Sequence, residues 1–321
     1  MTAWPPRWKL RPAPRPRRLA WIFVKTSPPT QALLQALFVT FLWSTSWVLI
    51  KLGLQASLPP LTFAGLRYSL AFLCLAPFVL LNPAHRATLR ALPRATWARL
   101  VLLGVVFYAL TQGAQFVGLA YLPAATLTLL LSLTPIAVAL FGVALTVERP
   151  TRSQWGGILL SAAGAAVYFT PLSLPTGQRI GLAVGLLGLL ANAASSLLGR
   201  QVNRDGRLAP LLVTTVSMGI GGLLLLVAGG TIQGFGRLEP THWFLIAWLA
   251  IVSTAGAFTL WNHTLRTLTA VESSVINNTM MPQIAILAWV FLDEPLNARQ
   301  IAGLVLVGVG TLVVQLRRRG S

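Results

Sequence analysis

Residues 121–164, YLPAATLTLLLSLTPIAVALFGVALTVERPTRSQWGGILLSAAG, carry a pattern that recurs later in the chain. A shift of 147 residues places 121–135 on 268–282. A shift of 146 residues then matches a glutamate, a glutamine and two glycines with identical residues: Glu148, Gln154, Gly157 and Gly164 fall on Glu294, Gln300, Gly303 and Gly310. The correspondence indicates an internal repeat, in which an apolar helix with an internal proline is followed by a polar link and a glycine-rich helix.

The composition identifies the solvent of this repeat. The chain has 321 residues, of which 55% are hydrophobic and 10% charged, and its mean hydropathy is +0.72. A helix needs about 20 apolar residues to cross a bilayer. Ten segments meet that length, roughly at 31–54, 59–82, 97–118, 121–146, 153–170, 180–200, 208–229, 241–263, 269–292 and 297–316. We therefore predict an all-α integral membrane protein.

The repeat and the segments together predict the domain organisation. Residues 31–170 form a first repeat of five transmembrane helices, and residues 179–316 form a second. Because five is odd, two consecutive repeats enter the membrane from opposite sides and are inverted. Residues 1–30 have seven basic residues, seven prolines and no acid, which predicts a disordered cytoplasmic tail. Its alternatives are a topology determinant, an over-extended start, or a ligand of anionic headgroups. Residues 317–321 form a basic cytoplasmic tail.

The net charge of +19 is a topology signal rather than a nucleic-acid signal. With the amino terminus in the cytoplasm, 20 of the 25 Lys and Arg residues lie on the cytoplasmic side. We expect a multi-pass protein of the plasma membrane with both termini cytoplasmic, loops 83–96 and 201–207 inside, and loops 171–179 and 230–240 outside. Nucleic acid is not an expected partner.

Polar residues inside the apolar segments are the candidates for substrate binding. A polar side chain in hydrocarbon is costly unless it is satisfied, so this set is expected to face inward. Two interpretations remain open: the residues line a cavity that binds substrate, or they are hydrogen-bonded helix contacts, which serine favours. The candidates are Trp43, Ser44, Ser46, Trp47, Gln112, Gln115, Asn192, Ser195, Asn262, Asn277 and Gln283.

Charged and helix-breaking residues are the candidates for gating. Arg67 lies about 12 Å from the outer end of the second segment. Its charge has three candidate partners: backbone carbonyls and solvent reached by snorkelling, Asp293 or Glu294, or the carboxylate of a bound metabolite. Lys51 is expected to snorkel. The remaining candidates are two matched intrahelical prolines and a carboxylate in the first turn of the ninth helix, namely Pro135, Pro282 and Glu272.

Catalytic motifs are missing from the sequence. It contains no HExxH pair, Gly-rich phosphate loop or Ser/His/Asp set, so we expect no enzyme activity, cofactor or metal. The single Cys74 excludes an intramolecular disulfide. The Gly-rich fifth and tenth helices are expected to pack closely, within the chain or across a homodimer.

Four stretches resemble the EamA-type branch of the drug/metabolite transporter superfamily. They are residues 43–51, PPLTFAGLRYSLA at 59–71, GLAYLPAATLTLLLSLTP at 118–135, and Glu148. The resemblance implies a ten-helix carrier of small metabolites such as amino acids. We expect an exporter working by alternating access around a central polar cavity surrounded by helices one, three, four, six, eight and nine. One alternative is a multidrug or cation efflux carrier, although this sequence has no carboxylate at mid-depth of the kind that such a carrier requires. The other is a non-transporting scramblase or sensor.

Overall fold

The computed structural model describes residues 29–144, 151–170, 176–204, 208–264, 276–277 and 279–316. Within these ranges the chain forms helices joined by short turns and loops, and no strand occurs. The all-α class is thereby confirmed. The Glu272 prediction, and the side chains of Asn262 and Pro135, lie outside what the structure describes.

The described residues of the first repeat form nine helical segments. Three of them, α4, the π-helix π1 and α5, follow one another without a break. The segments are α1 (Pro29–Gln55), α2 (Pro60–Leu80), α3 (Pro83–Arg90), α4 (Arg94–Leu103), π1 (Gly104–Gln112), α5 (Gly113–Tyr121), α6 (Ala124–Ser132), α7 (Thr134–Ala144) and α8 (Arg152–Phe169).

The second repeat has a corresponding order. Its segments α11, π2 and α12 are again continuous. The segments are α9 (Thr176–Arg204), α10 (Pro210–Ile232), α11 (Pro240–Ala250), π2 (Ile251–Gly256), α12 (Ala257–Thr264), α13 (Met280–Leu292) and α14 (Ala298–Leu316).

Local capping explains one of the repeated sequence signals. At the start of α8, Thr151 Oγ1 accepts a hydrogen bond from the Gln154 N–H, and Gln154 Oε1 accepts one from the Thr151 N–H. At the start of α14, Asn297 and Gln300 exchange the same two bonds at 2.9 and 3.0 Å. Each pair satisfies two N–H groups that have no partner within the helix. The repeated glutamine is therefore a helix-start signal.

Several helices are long and apolar enough to cross a membrane. Among the residues that the structure describes, five satisfy both criteria: Thr30–Gln55, Pro60–Leu80, Arg94–Tyr121, Gly177–Gly199 and Pro210–Ile232. Three shorter apolar helices accompany them. Large apolar side chains such as Phe244, Trp289 and Phe291 are exposed on the outside, where lipid solvates them. The protein is a multi-pass membrane protein, and the full number of ten spans stays a prediction.

Equivalent helices of the two repeats pack against each other in opposite directions. Along α2 and α10, Gly65 lies against Leu226, and Gly229, later in α10, lies against Thr62, earlier in α2. A Cβ atom on Gly65 would lie 2.5 Å from the Leu226 backbone, so only glycine permits this approach. Because the order of contacts reverses along the two chains, the helices are antiparallel.

The glycine-rich helices α8 and α14 form a second antiparallel pair. Gly164 lies against Gly303, and Gly310 lies against Gly157. Under the repeat, Gly157 corresponds to Gly303 and Gly164 to Gly310, so each contact is the counterpart of the other. These glycines are used within one chain, and a homodimer through them stays a prediction.

The remaining helices pair crosswise between the repeats. Helix α1 of the first repeat packs against α12 and α13 of the second, and α9 of the second packs against α5, α6 and α7 of the first. The helices predicted to surround the centre therefore contact one another as one group. The largest buried apolar cluster, which includes Phe63, Tyr68, Phe116 and Met218, lies beside them.

Candidate functional site

Two π-helices stand at matched positions of the repeat. π1 begins at Gly104 and π2 at Ile251, which differ by the same 147 residues as the sequence repeat. A threonine in each donates to the carbonyl five residues earlier, Thr111 to Val106 at 2.9 Å and Thr254 to Leu249 at 2.8 Å. Such widened turns are frequent at functional sites. The hydrophobic pattern of the sequence did not predict them.

The side chain of Arg67 extends from α2 to π2. Its side chain is only 5% exposed, and its Nε donates to Thr254 Oγ1 at 3.0 Å. Its Cζ lies 5.3 Å from the ring centroid of Tyr68 and 5.9 Å from that of Phe116. Snorkelling is therefore wrong for Arg67, because the side chain turns into the bundle and binds a neighbouring helix.

The acidic residues expected to pair with Arg67 are also used differently. Asp293 is exposed at the end of α13, with its backbone in the left-handed region (φ 52°). Glu294 binds Lys51 and a backbone N–H of α6 instead of Arg67. Of the three partners that the sequence left open, the two supplied by the protein itself are not formed in the described part of the chain.

Tyr68 and Gln112 connect α2 to π1 beside the guanidinium. The Tyr68 hydroxyl donates to Gln112 Oε1 at 2.7 Å, while the ring meets Tyr108 and Phe116 edge-on at centroid distances of 5.7 and 6.4 Å. Gln115 is half-buried and makes no hydrogen bond to the residues that the structure describes. Two of the predicted glutamines thus lie on the widened segment of the third predicted span or one turn beyond it.

Trp43 belongs to an aromatic group formed with the second repeat. Its Nε1 donates to the Ser253 carbonyl at 3.1 Å, within π2. The ring lies 5.2 Å, centroid to centroid, from both Phe258 and Trp261. Trp47, in contrast, is 8% exposed and belongs to the apolar core, so the structure separates the two predicted tryptophans.

Ser44 and Gln283 join α1 to α13. Ser44 Oγ lies 2.9 Å from Gln283 Oε1, and Gln283 Nε2 donates to Thr279 Oγ1 at 3.0 Å. Asn277, close to them in sequence, is exposed. This group and the Trp43 group lie on the same helix of the first repeat and face the second repeat.

Other predicted polar residues make helix contacts. Ser46 donates to the Trp43 carbonyl at 2.6 Å and Ser195 to the Asn192 carbonyl at 2.8 Å, both within their own helices. Asn192 Nδ2 donates to Thr134 Oγ1 at 3.1 Å and joins α9 to α7. For the two serines the helix-contact interpretation fits the structure better than substrate binding.

Lys51 and Glu294 form a charged cluster at one end of the bundle. Lys51 Nζ donates to the carbonyls of Leu119 and Leu122 at 2.6 and 2.7 Å and lies 3.9 Å from Glu294 Oε1. Glu294 Oε2 accepts from the Ala124 N–H at 2.7 Å, at the amino end of α6, where the helix dipole favours an anion. Snorkelling is wrong for Lys51, because its ammonium is bound inside the protein.

The environment of Glu294 is partly apolar. Burial raises the pKa of its carboxyl group, and the Ala124 N–H and the Lys51 ammonium partly oppose that rise. The sequence indicated Glu294 through its repetition of Glu148, but not what it binds. Its contacts come from residues 170 or more positions earlier in the chain.

The two matched prolines occupy first turns rather than helix interiors. Pro135 is the second residue of α7, after an interruption at Leu133, and Pro282 is the third residue of α13. A missing N–H costs no hydrogen bond in a first turn. The prediction that these prolines lie inside a helix is therefore wrong, because each lies at a helix start.

Two apolar grooves open on the outside of the bundle. One, of about 560 Å³, lies between α1, α11 and α13, and the other, of about 490 Å³, lies between α2, α4 and α10. Neither is lined by Arg67, Gln112 or Gln283. The predicted central cavity therefore stays a prediction that rests on the cluster of polar side chains.

Comparison with known proteins identifies the family. The model of the EamA-like transporter family matches residues 30–170 and again residues 179–316. The chain belongs to this family. The match gives the chain two EamA units, and the protein is a membrane transporter of the drug/metabolite transporter superfamily.

Relatives of this EamA protein are named as transporters. The uncharacterized transporter YvbV of Bacillus subtilis is 27% identical over 314 residues, which cover 93% of this chain and 96% of the relative. An S-adenosylmethionine/S-adenosylhomocysteine transporter of Chlamydia trachomatis serovar L2 is 27% identical over 265 residues, covering 79% and 80%. A crystal structure that is 18% identical superposes with a TM-score of 0.63 over 92% of this chain and 100% of its own. The last comparison concerns the fold alone.

Proposed function

We propose that this EamA protein is a secondary transporter that exports small metabolites such as amino acids by alternating access. The observation that carries the proposal is that polar bonds cross between the repeats. Trp43, Ser44 and Arg67 of the first repeat bind Ser253, Gln283 and Thr254 of the second. In secondary transporters built from inverted repeats, substrate binds near the midplane at the interface between the repeats.

The antiparallel pairs supply the frame for such a movement. Glycine contacts hold α2 to α10 and α8 to α14 at backbone distance, which favours a rigid scaffold. The crosswise pairs are α1 with α12 and α13, and α9 with α5, α6 and α7. In the second pair, Gly181 and Gly185 of α9 meet the side chains of Leu122 and Leu130 rather than a facing backbone. We propose that these pairs rock against the scaffold in a ten-span bundle with inverted repeats. Both termini are cytoplasmic in this proposal, and the host membrane is the plasma membrane.

The cluster of Lys51 and Glu294 closes the outer end in this scheme. Under the positive-inside orientation, the ends of α1 and α13 lie on the outside. The ammonium and the carboxylate tie both ends to the turn between α5 and α6. Opening toward the outside breaks these bonds. Substrate binding supplies the free energy that shifts the equilibrium between the closed and the open form of the outer end.

Flux through proteoliposomes tests the transport proposal. The purified protein is reconstituted and loaded with a mixture of amino acids, and their release is followed with and without imposed proton or sodium gradients. We expect saturable release of at least one compound. Empty liposomes are the control, and a protein that releases none of them, or that moves only lipid, contradicts the proposal and favours the scramblase or sensor alternative.

A second candidate substrate class is supported by the aromatic group around Trp43. The Chlamydia relative is named for a metabolite that joins a purine to an amino acid. The rings of Trp43, Phe258 and Trp261 offer apolar faces on which a planar base stacks. Exchange of labelled S-adenosylmethionine for S-adenosylhomocysteine tests this candidate, with a Trp43→Ala variant as the comparison. If wild type and Trp43→Ala exchange these compounds equally well, the aromatic group does not bind them.

Cation efflux receives less support. A desolvated cation requires a carboxylate inside the membrane. In the described part of the bundle the acidic residue nearest the interior is Glu294, and it already binds Lys51 and α6. Arg67, which has no anion among the described residues, further makes this interior positive, which repels cations.

A further inference from the structure

Arg67 is a buried cation for which the described protein provides no anion. Arg67 is only 5% exposed to solvent. Its Nε is the donor that is bonded, to Thr254 Oγ1, and the two terminal amino groups make no hydrogen bond within the residues that the structure describes. Lys51, another cation of the bundle, has both a carboxylate and two carbonyls. Arg67 therefore lacks the anionic partner that Lys51 has.

The contacts that Arg67 does have compensate only part of its desolvation. The faces of Tyr68 and Phe116 attract the guanidinium through their quadrupoles, at 5.3 and 5.9 Å. The hydroxyl of Thr254 accepts one bond and spends its own hydrogen on the Leu249 carbonyl. Neither contact brings a negative charge, and a buried charge without a partner is strongly unfavourable. The planar fork of the guanidinium thus retains its capacity for an oxyanion.

We infer that Arg67 binds the carboxylate of the transported metabolite through its terminal amino groups. This inference rests on the proposed transport function and names its substrate class as carboxylate-bearing. Guanidinium and carboxylate match as two parallel N–H···O bonds. A carboxylate carries one negative charge, as Arg67 carries one positive charge, whereas a phosphate monoester carries close to two. One guanidinium therefore suits a carboxylate better.

The neighbours of Arg67 complete the description of this site. The amide nitrogen of Gln112 makes no hydrogen bond to the described residues, while its oxygen is held by the Tyr68 hydroxyl. The Gln112 amide on π1 is therefore an oriented donor, held by Tyr68, the residue next to Arg67 in α2. Trp43 binds the carbonyl of Ser253, the residue that precedes Thr254 in π2. A metabolite with a carboxylate and an apolar side chain matches both surfaces, the polar donors beside Arg67 and the aromatic rings around Trp43.

Ligand-dependent thermal stability of the purified full-length protein in detergent tests the inference. The probes are the common L-amino acids, each as the free acid and as its α-carboxamide, which removes only the negative charge. A ligand that binds the folded state raises the Tm according to its concentration and Kd. We expect at least one acid to bind wild type about tenfold to a hundredfold more tightly than its carboxamide, the range expected for a hydrogen bond to a charged group.

Two variants locate the discrimination. Arg67→Gln keeps a polar side chain but removes the charge, and we expect acid and carboxamide to bind it equally weakly. Arg99→Gln, at an exposed arginine of α4, is the matched control and should keep the wild-type preference. Arg67→Lys keeps the charge without the planar fork and should retain part of the preference. It also serves if Arg67→Gln does not fold.

The outcomes separate the inference from the function on which it rests. Equal binding of acid and carboxamide by wild type, binding of no acid, or an unchanged preference in Arg67→Gln overturns the carboxylate site. A preference that depends on Arg67, in a protein that releases none of the same compounds from proteoliposomes, supports the site and contradicts transport.

Discussion

The ammonium of Lys51 lies 3.9 Å from Glu294 Oε1, at the point where the end of α1, the turn between α5 and α6, and the end of α13 meet. Each charge also satisfies backbone groups at a helix end. Lys51 binds carbonyls at the carboxyl end of α5, and Glu294 binds an N–H at the amino end of α6. Two side chains therefore connect segments from both repeats. Breaking the connection is expected to release all of them together.

Glu294→Gln should open this end of the bundle more often. The amide still accepts from the Ala124 N–H but loses its charge, and hydrogen bonds to charged groups exceed neutral ones by about 1 kcal/mol. The population of the open form should then rise roughly fivefold. The measurement is the rate at which an impermeant thiol reagent labels Leu122→Cys, a buried position beside the pair, in a Cys74→Ala background.

The neighbouring carboxylate supplies the control for that experiment. Asp293→Asn changes an exposed side chain in the left-handed region, a conformation that asparagine tolerates. Its labelling rate should equal that of the Leu122→Cys parent. Equal rates in the Glu294→Gln and Asp293→Asn proteins would mean that the pair does not hold this end closed.

Gly303→Val should disrupt the contact between α8 and α14. A Cβ atom at Gly303 would lie 2.8 Å from the Gly164 carbonyl, and both atoms belong to helices that cannot separate without losing other contacts. Overpacking of this kind costs about 1–3 kcal/mol. Thermal melting of the detergent-solubilised protein measures the loss. Gly156→Val, at a glycine with open space around it, is the matched control and should melt as wild type does.

Ser44 and Gln283 should show energetic coupling between the repeats. Their oxygens lie 2.9 Å apart, across the contact of α1 with α13. A double-mutant cycle with Ser44→Ala and Gln283→Leu is expected to give a coupling free energy of about 0.6 kcal/mol, the average for hydrogen bonds between membrane helices. Ser46→Ala removes a bond within its own helix and should not couple to Gln283→Leu. Additive effects in both cycles would contradict a functional contact between the repeats.

Ser173→Cys tests the orientation predicted from the charge distribution. Residues 171–179 are predicted to face the outside because most basic residues fall in the opposite loops. An impermeant thiol reagent added to intact cells should label this cysteine in the Cys74→Ala background. Arg90→Cys, in a loop predicted to be cytoplasmic, should be labelled only after permeabilisation. The reverse pattern would place both termini outside.

Local sequence patterns determined much of the architecture. The repeat at 147 and 146 residues, the apolar segments and the helix-start glutamines Gln154 and Gln300 depend on neighbours within a few residues or on composition. The same holds for the inward position of Ser44, Gln112 and Gln283, because hydrocarbon disfavours an unsatisfied amide or hydroxyl in any fold. These features follow from the chemistry of a chain in a bilayer.

The tertiary structure alone decided which partner each polar group has. Arg67 could reach solvent, Glu294 or a ligand as far as the sequence showed, and it binds Thr254, 187 residues away. Glu294 is held by Lys51 and Ala124 instead. Thr254 belongs to π2, a widened segment that the apolar pattern of the sequence did not predict. Long side chains choose among groups brought close by packing, and such proximity is a property of the assembled helices rather than of any single segment.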